Sequence, residues 1–465
     1  MESSHTIPKA PKGLMALALV GPGLVWSAEY IGNGEVILAT RTGAILGCMV
    51  LWAPIIGIML KACIGVAGAR YTVCTGEGMI DMFSRMPGRG NWAVWIVLVS
   101  MFFAGSMAVG SAASVAGVFA NSLIPLSPFL WGWIISLFGV AVVWSGKFDI
   151  IKYIMSVFIF IIVFGVMYIT IRAFPGFAEI GKGIFGFSAP VIPQWAKGLE
   201  GVSSNPWREV IPLVGWAAGG FASQVWYTYW IIGAGYGMTH GRGYGKACDG
   251  DALKSMTLET AERVKGWCRV VYLDASIAMI IGLVVTACFL IAGAVILRPE
   301  HIAPDGTALA IELSHIFGKT WGKTGAVLFL FAGWAALTST TICHFAGWPR
   351  LVADGLRICI PAFNKKFQWS TQFKIILTIF FFTNMIVVFT LGINPVFLVK
   401  LSAVLEGLLF TPLQALFLLI GLLWVLPKLL SSAAWNLLKP HWFLIIGLVV
   451  AVIVFSVFSW IQLAS

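Results

Sequence analysis

Charged residues are scarce in this chain of 465 residues: 11% are Asp, Glu, Lys or Arg, against 59% hydrophobic. Soluble domains carry about 25% charged residues, so a soluble globular protein is excluded, and no loop is long enough for a separate aqueous domain. Closely spaced cysteines are also lacking. The eight (Cys48, Cys63, Cys74, Cys248, Cys268, Cys288, Cys343 and Cys359) are scattered, which argues against a disulfide framework or metal cluster and for small apolar fillers. The six histidines are as dispersed; His344 alone falls near a membrane core, where packing is the ordinary reading. No basic run of five accompanies the net charge of +11, so nucleic acid is not an expected partner. No nucleophile-base-acid set, phosphate loop or zinc motif lies in the apolar runs, so an enzyme is not expected. The start, MESSHTIPKAPKG, lacks the pattern of a removable signal peptide and reads as a short cytosolic tail.

What is present is a series of apolar runs with a mean hydropathy of +0.92. Runs of about 20 residues are long enough to cross a bilayer, and about eleven are expected, near 14–45, 46–70, 92–123, 127–145, 149–172, 209–235, 268–297, 322–347, 372–393, 396–425 and 441–463. With the N-terminus inside, twenty Lys and Arg fall on inner segments and eight on outer ones. That bias predicts a cytoplasmic N-terminus and an extracytoplasmic C-terminus. The expected setting is a multi-pass integral protein of a prokaryotic plasma membrane, with the lipid bilayer as its partner; a monomer is plausible.

Two runs are interrupted. The first, GPGLVWSAEYIGNGEVILAT at 21–40, carries Glu29, Gly32, Asn33, Gly34 and Glu35 in its middle. A carboxylate at that depth costs at least about 2.5–3.5 kcal/mol and normally faces a cavity or a partner. Glycines there weaken the helix, and broken backbone is tolerated only where it lines protein or water. The alternative is a helix ending at Tyr30 with a polar loop beyond, but the apolar pattern resumes at 36–38 and 44–46. The sixth run, IPLVGWAAGGFASQVWYTYWIIGAGYG, carries Gly219 and Gly220, then Ser223 and Gln224. Small-residue helix packing is the competing reading there. Breaks at matching positions of two halves point to a binding site between inverted repeats.

GPGLVWSAEYIGNGE at 21–35, ARYTVCTGEGMIDMF at 69–83 and SGKFDIIKYI at 145–154 resemble the Nramp metal-ion transporters. The resemblance implies one transmembrane transport domain over 1–465. It implies an all-α, leucine-transporter-type fold: two inverted five-helix repeats, about 14–172 and 209–425, plus an eleventh helix at 441–463. It also implies a metal held between broken spans 1 and 6. The family's Asp-Pro-Gly-Asn falls on Gly32, Asn33, Gly34 and Glu35, and its Met-Pro-His falls near Gly219, Gly220 and Phe221. Its acidic pair in span 3 falls about on Ser111 and Ser114. This pattern resembles a divergent, Nramp-related branch, and some such branches are associated with magnesium.

The expected ligands are Glu29, Asn33, Glu35 and Gln224, with freed carbonyls near Gly32, Ala218 and Gly219. Ser111, Ser114 and Glu406 are expected along the pathway, and Asp274 is expected to pair with Arg269. Oxygen donors without sulfur suit Mg²⁺ or Mn²⁺, as substrate; no cofactor is expected. Gly219→Met is expected to restore a thioether and shift preference toward softer ions. With serines in span 3, a secondary transporter moving the divalent cation without proton coupling is expected. A same-fold transporter of an anion or organic solute, or a transporter-like signalling protein, stays open.

Overall fold

The computed structural model describes residues 7–172, 174–199, 201–303, 308–391 and 395–464. The first six residues of the expected cytosolic tail lie outside them. Each expected span is helical. Spans 2 to 5 are Trp52–Thr75, Trp92–Leu123, Pro128–Val143 and Phe148–Arg172, and span 7 is Leu258–Leu297. Span 8 runs over Gly322–Cys359, span 9 over Trp369–Leu391, span 10 over Val399–Leu429 and span 11 over Trp442–Ala464. Span 1 begins later than the apolar run suggests: Leu14–Ala18 is a short separate helix whose Leu14 is exposed, and the spanning helix starts at Pro22, a residue suited to a first helical turn.

Spans 1 and 6 are both interrupted. Span 1 is Pro22–Tyr30, then a break at Ile31 and Gly32, then a wide-wound stretch, Gly34–Ala39, that passes into Thr40–Leu46. Span 6 is Trp207–Trp216, an unwound segment at 217–220, and Phe221–Ala234. Both breaks are short, because Asn33 and Phe221 already lie in the following helices. Further wide-wound stretches are Gly293–Leu297 in span 7 and Ala403–Leu409 and Gly421–Val425 in span 10; Ala403–Leu409 carries Glu406. Such bulges inside helices concentrate at functional sites.

Burial follows from the membrane. The middles of spans 1 and 6 are buried, with Trp26, Trp226 and Trp230 among the largest enclosed side chains, and Trp348 of span 8 is enclosed beside them. Spans 3, 5 and 11 turn Phe103, Phe160 and Ile453 outward, as an apolar solvent allows. The breaks are thereby held at the centre of the bundle, away from lipid, where freed backbone groups can find partners.

Candidate functional site

The break in span 1 is shaped by close approach as much as by flexibility. A side chain at Gly32 would strike the Thr340 hydroxyl, and one at Gly34 would strike the Trp216 ring. The new helical start is capped by its own acid: the Gly32 amide donates to Glu35 Oε2 at 3.1 Å, as acidic side chains do at helix N-termini. The other Glu35 oxygen accepts from the Thr286 hydroxyl of span 7 at 3.2 Å. Carbonyls at the end of the first half are taken by span 8: Ser339 donates to Ala28 at 2.8 Å and Thr340 to Glu29 at 2.6 Å.

In span 6 the turn is left-handed at Ala218 (φ 59°) and Gly219 (φ 76°), which costs a residue with a Cβ and is natural for glycine. Two freed carbonyls are filled by side chains. Ala218 accepts from Gln224 Nε2 at 2.8 Å, and Gly219 accepts from the Lys61 ammonium at 2.6 Å. Lys61 also donates to Gly215 and is fully buried. Glu35, Glu406 and Glu29 are the carboxylates whose charges reach it. A positive φ and the adjacent Ser223 leave no room for a side chain at Gly219, so the Gly219→Met exchange has no place in this backbone.

Around the breaks the acids and amides converge. Ser223 of span 6 donates to Glu29 Oε2, and His344 Nε2 of span 8 stands 3.6 Å from Glu29 Oε1. His344 also packs edge-on against the Trp226 ring. Trp26 Nε1 donates to Ser223 at 3.1 Å, and the Trp26 ring stacks on Tyr227. Asn33 Nδ2 donates to Ser111 Oγ at 3.1 Å. Glu406 packs against Gly220. Among the buried oxygens of the described residues that have no partner are Asn33 Oδ1, Ser114 Oγ, Gln224 Oε1 and Glu406 Oε1. Buried polar atoms are normally satisfied, by water or an ion where protein does not serve. Among the described residues no group of three or more His, Cys, Asp or Glu is placed to hold a metal ion, so an ion here would lean on amide, hydroxyl, carbonyl and water oxygens.

Ionic networks tie both ends of the bundle. At one end Glu209 takes Arg41 at 3.1 Å and Lys400 at 2.8 Å, joining spans 1, 6 and 10. At the other, Glu77 takes two bonds from Arg85 at 2.8 Å and one from the Cys248 amide at 2.6 Å. Burial works against the Glu77 charge, but Arg85 outweighs it and holds the carboxyl below the ordinary range. On the short helix Met79–Ser84, Asp81 meets Arg357 at 2.6 Å. Burial, then the neighbouring Asp354, pushes its carboxyl up to about 7 against the pull of Arg357.

A family model described as natural resistance-associated macrophage protein-like matches residues 23–197, the stretch that holds span 1, Ser111, Ser114 and Glu77. That stretch is similar to the Nramp family. The backbone of the chain resembles that of an Eremococcus coleocola manganese transporter, with a TM-score of 0.65 at 17% identity over 98% of this chain and 89% of that one. It also resembles Mhp1, a nucleobase-cation-symport-1 family transporter, with a TM-score of 0.55 at 12% identity over 94% of this chain and 91% of that one. An uncharacterised protein of Pasteurella multocida (strain Pm70) is 21% identical over 84% of this chain and 86% of its own length. The fold is of the leucine-transporter type.

Glu29, Gly32, Asn33, Glu35, Ala218, Gly219 and Gln224 lie at the two breaks, with Ser111 bonded to Asn33 and Glu406 against Gly220. Asp274 does not pair with Arg269. It accepts from the Gly21 amide at 3.0 Å and the Tyr227 hydroxyl at 2.8 Å, so it holds the start of span 1. Sequence reasoning missed Lys61, Ser339, Thr340 and Thr286. Two signals were visible: a lone lysine inside an apolar run, and the Thr338, Ser339, Thr340, Thr341 run inside span 8.

Proposed function

We propose that this chain is a secondary transporter of a hard divalent cation, with Mg²⁺ favoured and Mn²⁺ accepted, bound at the break in span 1. The observation that carries the reading is the buried Asn33 Oδ1, which has no partner and is flanked in the chain by Glu29 and Glu35. Oxygen donors of this kind suit Mg²⁺ and Mn²⁺ better than softer ions, and the unpartnered oxygens of Gln224 and Glu406 leave places for the waters that Mg²⁺ retains. Lys61 fills the carbonyls of span 6. The ion is therefore assigned to span 1 and Gln224, not to Gly219. Arg41–Glu209 closes the outer side and Glu77–Arg85 the inner side, with the N-terminus in the cytoplasm.

Movement without protons is part of the proposal. Serine hydroxyls at 111 and 114 do not titrate near neutral pH. A potential of 100 mV supplies about 4.6 kcal/mol for a divalent ion, enough for accumulation. Liposomes with an internal pH dye and a Mg²⁺ or Mn²⁺ gradient test both parts. Cation entry without acidification is expected. No entry of either ion removes the transport reading, and acidification that follows entry removes the uncoupled one. His344→Gln, which alters the neighbour of Glu29, should leave the dye signal unchanged.

A further inference from the structure

Where spans 2, 7 and 11 meet, a cavity of about 500 Å³ is lined by Arg70, Lys265, Arg269, Tyr272, Lys439 and His441, with no Asp or Glu in its lining. Arg70 is only 5% exposed. It donates to the Tyr272 hydroxyl and to the carbonyls of Leu438 and Lys439, while its Nε has no partner. Among the described residues, none of the four cations lies in an ion pair with a carboxylate. Asp274, five residues along from Arg269, is engaged elsewhere. A buried guanidinium without an acid is costly unless an anion from outside completes it.

The cavity does not end there. Tyr272 and His441 also line an apolar groove of about 320 Å³, whose other walls include Met59, Ala62, Met279 and Leu444. On all three spans the groove lies deeper in the bilayer than the cavity. Met59 is about 16 Å of helix from Arg70, at 1.5 Å per residue, and Met279 and Leu444 follow Tyr272 and His441 inward. Trp442, 56% exposed, stands at the rim as interfacial anchors do. A free anion would match the basic cavity but not the groove; an amphiphile matches both.

We propose that this composite cavity binds an anionic phospholipid. Arg70, Lys265, Arg269 and Lys439 hold its phosphate, and one acyl chain lies along spans 2, 7 and 11. The end of the bundle concerned carries the excess of basic residues, so the lipid comes from the cytoplasmic leaflet. The proposal does not depend on the transported solute.

The test is native mass spectrometry and thermal shift on delipidated full-length protein, titrated with phosphatidylglycerol, phosphatidylcholine of the same chains, or inorganic phosphate. Phosphatidylglycerol alone should be retained and raise Tm. Arg269→Ala combined with Lys439→Ala should weaken its retention about 25-fold, at roughly fivefold per charge. Ser276→Trp, which fills the groove, should abolish binding of long-chain but not dihexanoyl phosphatidylglycerol. Equal retention of phosphatidylcholine, an equal shift from inorganic phosphate, or unchanged retention in the charge variants would overturn the proposal. Should the double variant fail to fold, the single changes Lys265→Ala, Arg269→Ala and Lys439→Ala, at exposed positions, decide in its place.

Discussion

The side-chain amide of Asn33 donates to the hydroxyl of Ser111 across 3.1 Å, and that bond ties the break of span 1 to span 3. Ser111 in turn donates to the Ala108 carbonyl at 2.8 Å. The chain of donors fixes the amide so that Asn33 Oδ1 is left over, the oxygen that the proposed transport reading gives to the cation. Asn33→Ala and Glu35→Gln should each weaken Mg²⁺ or Mn²⁺ binding by about 10- to 100-fold, the loss of one charge-assisted ligand of about 1.5–3 kcal/mol. Ser111→Ala should give a smaller loss, because it frees the amide without removing the oxygen. Calorimetric titration of the purified protein measures all three, and equal affinities would remove span 1 from the site.

Lys61 makes a different prediction. Lys61→Met leaves the Gly215 and Gly219 carbonyls without their donor. Each unsatisfied buried group costs about 1–3 kcal/mol, so a fall in Tm of several degrees is expected. Potassium or ethylammonium should restore part of that loss in the variant and have no effect on the protein that retains Lys61. A thermal-shift series across both ions is the measurement.

The Arg41–Glu209 pair is buried on both sides. Removing one partner of a buried pair typically costs about 3–5 kcal/mol. Arg41→Gln should therefore loosen the outer closure proposed for the pair, and a cysteine placed at the neighbouring Thr42, which donates to the Glu209 carbonyl at 3.0 Å, should react with a membrane-impermeant maleimide at least tenfold faster than in the Arg41 background. Equal labelling rates would show that this end stays closed without the pair.

Asp81 gives a pH dependence. Its carboxyl is raised to about 7 in the fold and is near 3.9 in an unfolded chain. The folded form thus holds an extra proton between these values. Its contribution is fully present below about pH 4 and is lost as pH rises through 7. Thermal stability should fall on this account between pH 5 and 7.5. Asp81→Asn, which keeps an oxygen for Arg357, should flatten that slope. An unchanged slope in the variant would assign the dependence to other groups.

The number, order and ends of most spans were legible in the chain, because a bilayer demands about 20 apolar residues per crossing and few other patterns can supply them. The two breaks were legible as well, since a glycine-flanked asparagine between two glutamates and a Gly-Gly pair are locally poor helices whatever surrounds them. Span 1 was placed too early because Leu14 and its neighbours are apolar without being enclosed; hydropathy records transfer preference, not packing.

Partners of the freed backbone were not legible. Lys61 reaches carbonyls 154 and 158 residues away, and Thr340 closes on Glu29 from a distance of 311 residues. Nothing local separates Asp274 bonded to Tyr227 from Asp274 bonded to Arg269; that depends on which face of span 7 meets span 1. Residue chemistry and period alone determined that the chain crosses the membrane repeatedly and is weakest at two points. Which side chains fill those weak points, which oxygens stay open and where Arg70 is left without an acid were decided by tertiary packing, because each is a contact between helices whose rotation about their axes no single run of sequence specifies.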